Sequence, residues 1–115
     1  ISKYYYSKLN DERIFLPKYC NNRKSSWHLF IIRFDLSKIN KTKSQIINYL
    51  KKKKIFVNTH YIPLNYLTYI KKFIGKRVFK NSEEYYNQAI SIPIYPHLTR
   101  KEQDYIIENI FKSIN

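Results

Sequence analysis

One cysteine, one glycine and no methionine stand among the 115 residues. The lone Cys20 excludes an internal disulfide framework and fits a reducing, cytoplasmic setting. The lone Gly75 excludes a glycine-rich phosphate loop, in which several glycines let the backbone approach the phosphates. No run of about 18 apolar residues occurs, so no membrane-spanning helix is expected. Carboxylates are scarce, 8 against 22 Lys and Arg, for a net charge of +14. The chain starts at Ile1 with no basic-and-apolar leader, which reads as no secretory signal. Without an initiating Met it reads as a piece of something longer. The length fits one domain.

What is abundant is Ile, Lys, Tyr and Asn, about half of the chain. All four have AT-rich codons, so genome bias accounts for much of the basic charge. That weakens a nucleic-acid reading of the +14. A hydrophobic content of 43% is too high for a disordered basic tail.

Along the chain, 1–8 predicts the end of a helix with Tyr4, Tyr5 and Leu9 on one stripe. Residues 10–26 carry loop chemistry, with Phe15 and Leu16 as anchors. Trp27–Phe34 is aromatic, β-branched and apolar on both faces, the pattern of a covered strand. Asn40 or Thr42 caps a helix to about Lys53, with Ile46, Ile47 and Leu50 inward. The lysine run 51–54 reads as a solvated helix end facing the negative end of its dipole. Ile55–Ile62 predicts a second strand, ended by Pro63, and Leu64–Phe73 a short helix stopped at Gly75. After a basic loop, Asn81 and Glu84 predict a capping box. Ile90–Tyr95 predicts a third strand, interrupted or at an edge because Pro93 cannot donate to a ladder. Thr99 and Glu102 box the last helix, whose stripe is Ile106, Ile107, Ile110, Phe111 and Ile114. The order implies a small α+β domain of about three strands with helices on one face.

Chemistry is thin. His28, His60 and His97 match no zinc spacing, and one cysteine adds no cluster, so no metal site is expected. No nucleophile motif of the G-x-S-x-G kind is present. The run His60-Tyr61-Ile62-Pro63 is more informative, because a strand ending in a proline turn sends its last side chains to the sheet edge.

Taken in order, SSWHLFIIRF at 25–34, KKKKIFVNTHYIPLN at 51–65 and EEYYNQAISIPIYPHLTRKEQDYIIENI at 83–110 resemble one family. It is the C-terminal domain of the DegT/DnrJ/EryC1/StrS sugar aminotransferases, and the pseudaminic acid branch looks nearest. The resemblance implies the small C-terminal domain of a fold-type I, PLP-dependent homodimer. Residues 1–24 would be the end of a linking helix and loop, and 25–115 the small domain. It implies amino transfer, from glutamate, to a 4-keto-6-deoxy UDP-sugar. PLP and the Schiff-base lysine would belong to the chain's own large N-terminal domain, so no catalytic or cofactor-binding residue is expected here. Carried over by position, His60, Tyr61, Ile62 and Pro63 approach the sugar nucleotide, and Ser26 and His28 match an S-x-H run at the pocket or the dimer partner.

Two departures stand out. Relatives commonly have His where Asn65 stands, and Gly where Lys54 stands. A piece of a larger enzyme should also strand apolar residues on its surface; Tyr4–Tyr6 and 14–16 are the expected places. The competing readings are a free-standing RNA- or polyanion-binding module and an inactive remnant. The first lacks the glycines of an RNP-like run. Neither nucleic acid nor membrane is an expected partner.

Overall fold

The computed structural model describes residues 1–18 and 22–115; Cys20 lies outside the described residues. Helix α1 (Ser2–Lys8) precedes the two-residue strand β1 (Ile14–Phe15), then come β2 (Phe30–Phe34) and α2 (Lys43–Lys52). A 3₁₀ turn (Leu64–Tyr66), α3 (Thr68–Ile74), α4 (Lys80–Gln88), β3 (Ala89–Ile92) and α5 (Arg100–Ile114) complete the order. The strands form one antiparallel sheet, β1-β2-β3.

The core follows from the pleat. Alternate residues of a strand share a face, and the cross-strand pairs Ile14–Phe34, Ile32–Ile90 and Phe30–Ile92 are all buried on one face. Tyr5 and Leu9 of α1, Ile46 and Leu50 of α2, and the isoleucines of α5 join them in one cluster. Thr42 rather than Asn40 caps α2, in a box with Gln45, and Thr99 boxes α5 with Glu102. Each satisfies helix-end N–H groups and is worth about 1 kcal/mol against alanine.

Strand membership differs from expectation. The run at 55–62 is no strand; it touches the sheet through one bridge, Asn58 to Ser91. β3 ends before Pro93, which has no N–H to extend the ladder, so its outer edge is too short to pair more. The third strand is instead β1, inside the expected loop, and two residues are too few to show a period. β2 begins at Phe30, not Trp27: Trp27 has a positive φ of 53° and turns its N–H onto Ser25 Oγ. α4 starts at Lys80 without the Asn81–Glu84 box; Glu83 accepts from the Phe79 N–H instead. The expected helix at 64–73 splits into the 3₁₀ turn and α3, and α3 buries none of its residues. It stops at Gly75, as expected, at φ 65°.

Lys54, just after α2, has φ 58°. A Cβ costs about 1–2 kcal/mol there, partly offset by the freedom glycine has in the unfolded chain. Lys54→Gly should therefore add about 1 kcal/mol, seen as a higher urea midpoint with an unchanged slope.

Before β1, the Arg13 guanidinium and backbone N–H both donate to Asp11 and hold its carboxyl at about 2. Between that value and the ordinary carboxylate range the unfolded chain binds the extra proton, so stability rises with pH there. The contribution is complete above the ordinary range and disappears as pH falls through about 2. Asp11→Asn should flatten this acid limb in urea melts taken at a series of acid pH values. An unchanged limb would place the acid sensitivity elsewhere.

Candidate functional site

The second face of the sheet carries Ile31 and Arg33 of β2 opposite Ser91 and Ala89 of β3. Arg33 lies over the Phe15 ring and donates to Gln88 at 3.3 Å. Ser91 and Ala89 are buried. Ser91 turns its N–H and C=O outward to Asn58, at 2.8 and 3.1 Å, which lays the segment after α2 against the edge of β3. Two residues further on, His60 Nε2 lies 2.9 Å from Ser91 Oγ. The hydroxyl is also 3.3 Å from the Asn58 carbonyl. His60 Nδ1 is closed off from water and has no partner among the described residues.

This anchoring has a visible consequence. The Tyr61 ring stands edge-on to His60 at 5.0 Å and is 79% exposed, and Ile62 is 53% exposed. Pro63 is buried, and its carbonyl accepts from Tyr66 N–H to open the 3₁₀ turn. His60 is thus half-buried and held at the sheet edge, while the next two side chains project.

Ser26 and His28 stand elsewhere. Both are exposed and line a cleft of about 490 Å³ with Ile1, Ser2 and the Ile94–Pro96 segment. His60 is not among its lining residues. The expected six residues therefore fall in two groups. A larger cleft of about 740 Å³ runs between Lys53–Phe56, Tyr95 and the first turns of α5, with Lys101 and Tyr105 on its wall. Its carboxylate, Glu102, is already used in the Thr99 box.

Two residues were missed from sequence. Ser91 sits inside the S-I-P-I-Y-P run, but a single serine among isoleucines gives no signal of its own. Asn65, where relatives commonly have His, is buried and donates to Glu83 Oε1 at 2.7 Å and to the Arg77 carbonyl at 3.1 Å. The Asn65 bond to Glu83, with that from the Phe79 N–H, holds the Glu83 carboxyl below its usual range.

Exposed apolar side chains collect between Phe56 and Phe79, not at Tyr4–Tyr6. Tyr5 is fully buried and Tyr4 and Tyr6 pack on the core, whereas Leu64, Tyr69, Phe73 and Val78 are each exposed. At 14–16 only Phe15 is exposed, and so does not anchor the loop as expected; Ile14 is in the core and Leu16 packs against it. The tyrosines of α1 turn inward because Tyr5 and Tyr6 meet Phe30 ring to ring. No acidic residue stands between Asp35 and Glu83, so the exposed stretch is cationic as well as apolar.

Among the described residues none is placed to make a PLP site. Burial lowers the Lys43 pKa, but its amine is spent on the Tyr86 carbonyl and lies over the Tyr86 ring. No second glycine offers a phosphate cradle. Among the described residues no His, Cys, Asp and Glu cluster could hold a metal ion, and no helix is long and apolar enough to cross a membrane.

Residues 1–111 match the model of the DegT/DnrJ/EryC1/StrS aminotransferase family, and the chain belongs to that family. It is 31% identical to the spore coat polysaccharide biosynthesis protein SpsC of Bacillus subtilis over 90 residues, 76% of this chain and 23% of SpsC. Its fold matches the sugar aminotransferase Spr1654 of Streptococcus pneumoniae in the PMP form, described there as putative, at TM-score 0.81 and 29% identity, over 96% of this chain and 28% of that one. It also matches Helicobacter pylori PseC, an aminotransferase involved in the biosynthesis of pseudoaminic acid, at TM-score 0.84 and 22% identity, over 96% and 30%. The chain spans between 23% and 29% of the length of three curated relatives it matches. Its fold is that of the small domain of PLP-dependent aminotransferases.

Proposed function

We propose that this segment is the C-terminal small domain of a sugar-nucleotide aminotransferase. Residues 1–24 serve as the end of a linking helix and loop, and 25–115 as the domain proper. The enzyme moves an amino group from glutamate to a 4-keto-6-deoxy UDP-sugar in surface-glycan synthesis. The branch it resembles is UDP-4-amino-4,6-dideoxy-N-acetyl-β-L-altrosamine transaminase. A large domain holds PLP, which supplies the electron sink for amino transfer when bound. The assembled enzyme is a cytoplasmic homodimer. In this reading the turn of His60, Tyr61, Ile62 and Pro63 meets the sugar nucleotide, and Ser26 and His28 line the approach to it or to the partner subunit.

The observation that carries the reading is the anchored H-Y-I-P turn, which fixes His60 on Ser91 and leaves Tyr61 and Ile62 uncovered. A side chain so placed serves a neighbouring body better than its own core. The test is an amino-transfer assay by mass spectrometry on a polypeptide joining this segment to a PLP-binding large domain, with glutamate and the 4-keto UDP-sugar. An amino sugar is the expected product. Transfer to non-nucleotide ketones alone would refute the substrate assignment.

A further inference from the structure

The cleft between the end of α2 and the start of α5 has a volume of about 740 Å³, within the size range of small-ligand sites. Its floor is Ile55, Leu98 and Ile106, all buried in the core, so the core fixes its shape. One wall is Tyr105, whose hydroxyl donates to the Lys53 carbonyl at 3.3 Å and ties α5 to the end of α2. None of the residues assigned to the sugar nucleotide lines this cleft.

Its charge is one-sided. Lys54 and Lys101 line it, and neither makes an ion pair among the described residues. The Lys53 ammonium lies over the Tyr49 ring instead. The Glu102 carboxylate accepts from the Thr99 N–H and hydroxyl, in the first turn of α5, where the positive end of the helix dipole offsets its charge. Two uncommitted cations therefore stand beside an apolar floor. Lys54 also holds φ 58°, in the left-handed region that glycine fills without strain. A cationic side chain kept on such a backbone, with no ion-pair partner in the fold, points to a role outside the fold.

We propose that this cleft binds a small amphipathic anion, with its apolar body on Ile55, Leu98 and Ile106 and its charged end between Lys54 and Lys101. The floor rewards burial of an apolar body and gives a hydrated inorganic ion nothing. The two lysines select the anion over a neutral molecule of the same shape. A concave floor made of core residues suits a small molecule, because a bilayer or a flat protein face would meet only the rim.

The test is amide NMR mapping of the ¹⁵N-labelled chain with naphthoate as probe, and with naphthamide, which has the same rings and no charge. A net charge of +14 attracts anions everywhere, so the location of the shifts decides. Naphthoate should shift the amides of Ile55, Leu98 and Tyr105 saturably, and naphthamide should bind there about tenfold more weakly. Lys54→Gly should weaken naphthoate roughly two- to fivefold, the range of an exposed charge pair. The same variant should raise the urea midpoint, so lost binding cannot be lost folding. Adding Lys101→Gln should bring the loss to about tenfold. Shifts that do not saturate, or that fall on 61–79 instead, overturn the proposal. So does equal affinity for naphthamide, or unchanged affinity in the double variant. In the longer polypeptide, with label in this segment alone, the same amides should respond. Silence there would mean that the large domain fills the cleft, and would also overturn it. Binding is read without turnover, so it stands or fails independently of the amino-transfer assay.

Discussion

Phe30→Ala is expected to cost about 3–5 kcal/mol, the range for removing a fully buried aromatic and leaving a cavity. Phe30 has no exposure, pairs with Ile92 across the sheet, and meets the rings of Tyr5, Tyr6 and Trp27. It therefore ties α1 to the sheet and to the bend before β2. Total stabilities are about 5–15 kcal/mol, so most of the domain's margin is at stake. Urea unfolding followed by tryptophan fluorescence measures the effect, because Trp27 reports on this contact. A loss below about 1 kcal/mol would mean that the α1–sheet contact contributes little.

His60→Ala has the second large expected effect, on function. In a polypeptide carrying both domains it should weaken sugar-nucleotide binding by about 1–3 kcal/mol, or roughly 5- to 150-fold. The visible absorbance of the bound cofactor should not change, since the proposed function assigns PLP to the large domain. The loss comes through the bond to Ser91, which fixes the turn that leaves Tyr61 and Ile62 uncovered. Unaltered KM and kcat would reduce His60 to a fold-holding residue. Altered cofactor absorbance would bring this segment into the cofactor site.

The starts of α2 and α5 and the core stripe were legible because they are local. Thr42 and Thr99 are followed three residues on by Gln45 and Glu102, and that spacing alone makes the caps. The isoleucines of α5 repeat at the helical period and are buried as the pattern predicts. Gly75 stands where a positive φ ends α3. Pairing is non-local and was less legible. The run at 55–62 alternates like a strand, yet a strand needs an edge, and β3 offers only Ser91 before Pro93 removes the next donor. β1 holds two residues, and only its partners Phe34 and Arg33 make it a strand.

The candidate site divides the same way. The H-Y-I-P run was visible as a motif, but the group that holds His60, Ser91, lies 31 residues away and became visible only when the edges met. Asn65 looked like a departure because the expected residue was absent. In space it still makes a working clip, since its amide supplies two donors to a carboxylate and a carbonyl. The exposed residues from Phe56 to Val78 carry no sequence mark that separates them from core residues. Apolar side chains that await a partner and those that face a core obey the same composition.

The central claim is that this segment closes a substrate site and holds no cofactor of its own. The most direct test is the mass-spectrometric amino-transfer assay, run side by side on the 115-residue chain and on the polypeptide that joins it to a PLP-binding large domain. The account predicts an aminated UDP-sugar from the longer polypeptide, dependent on glutamate, and none from the chain alone. Product from the chain alone, or none from the folded, PLP-loaded longer polypeptide, would contradict it.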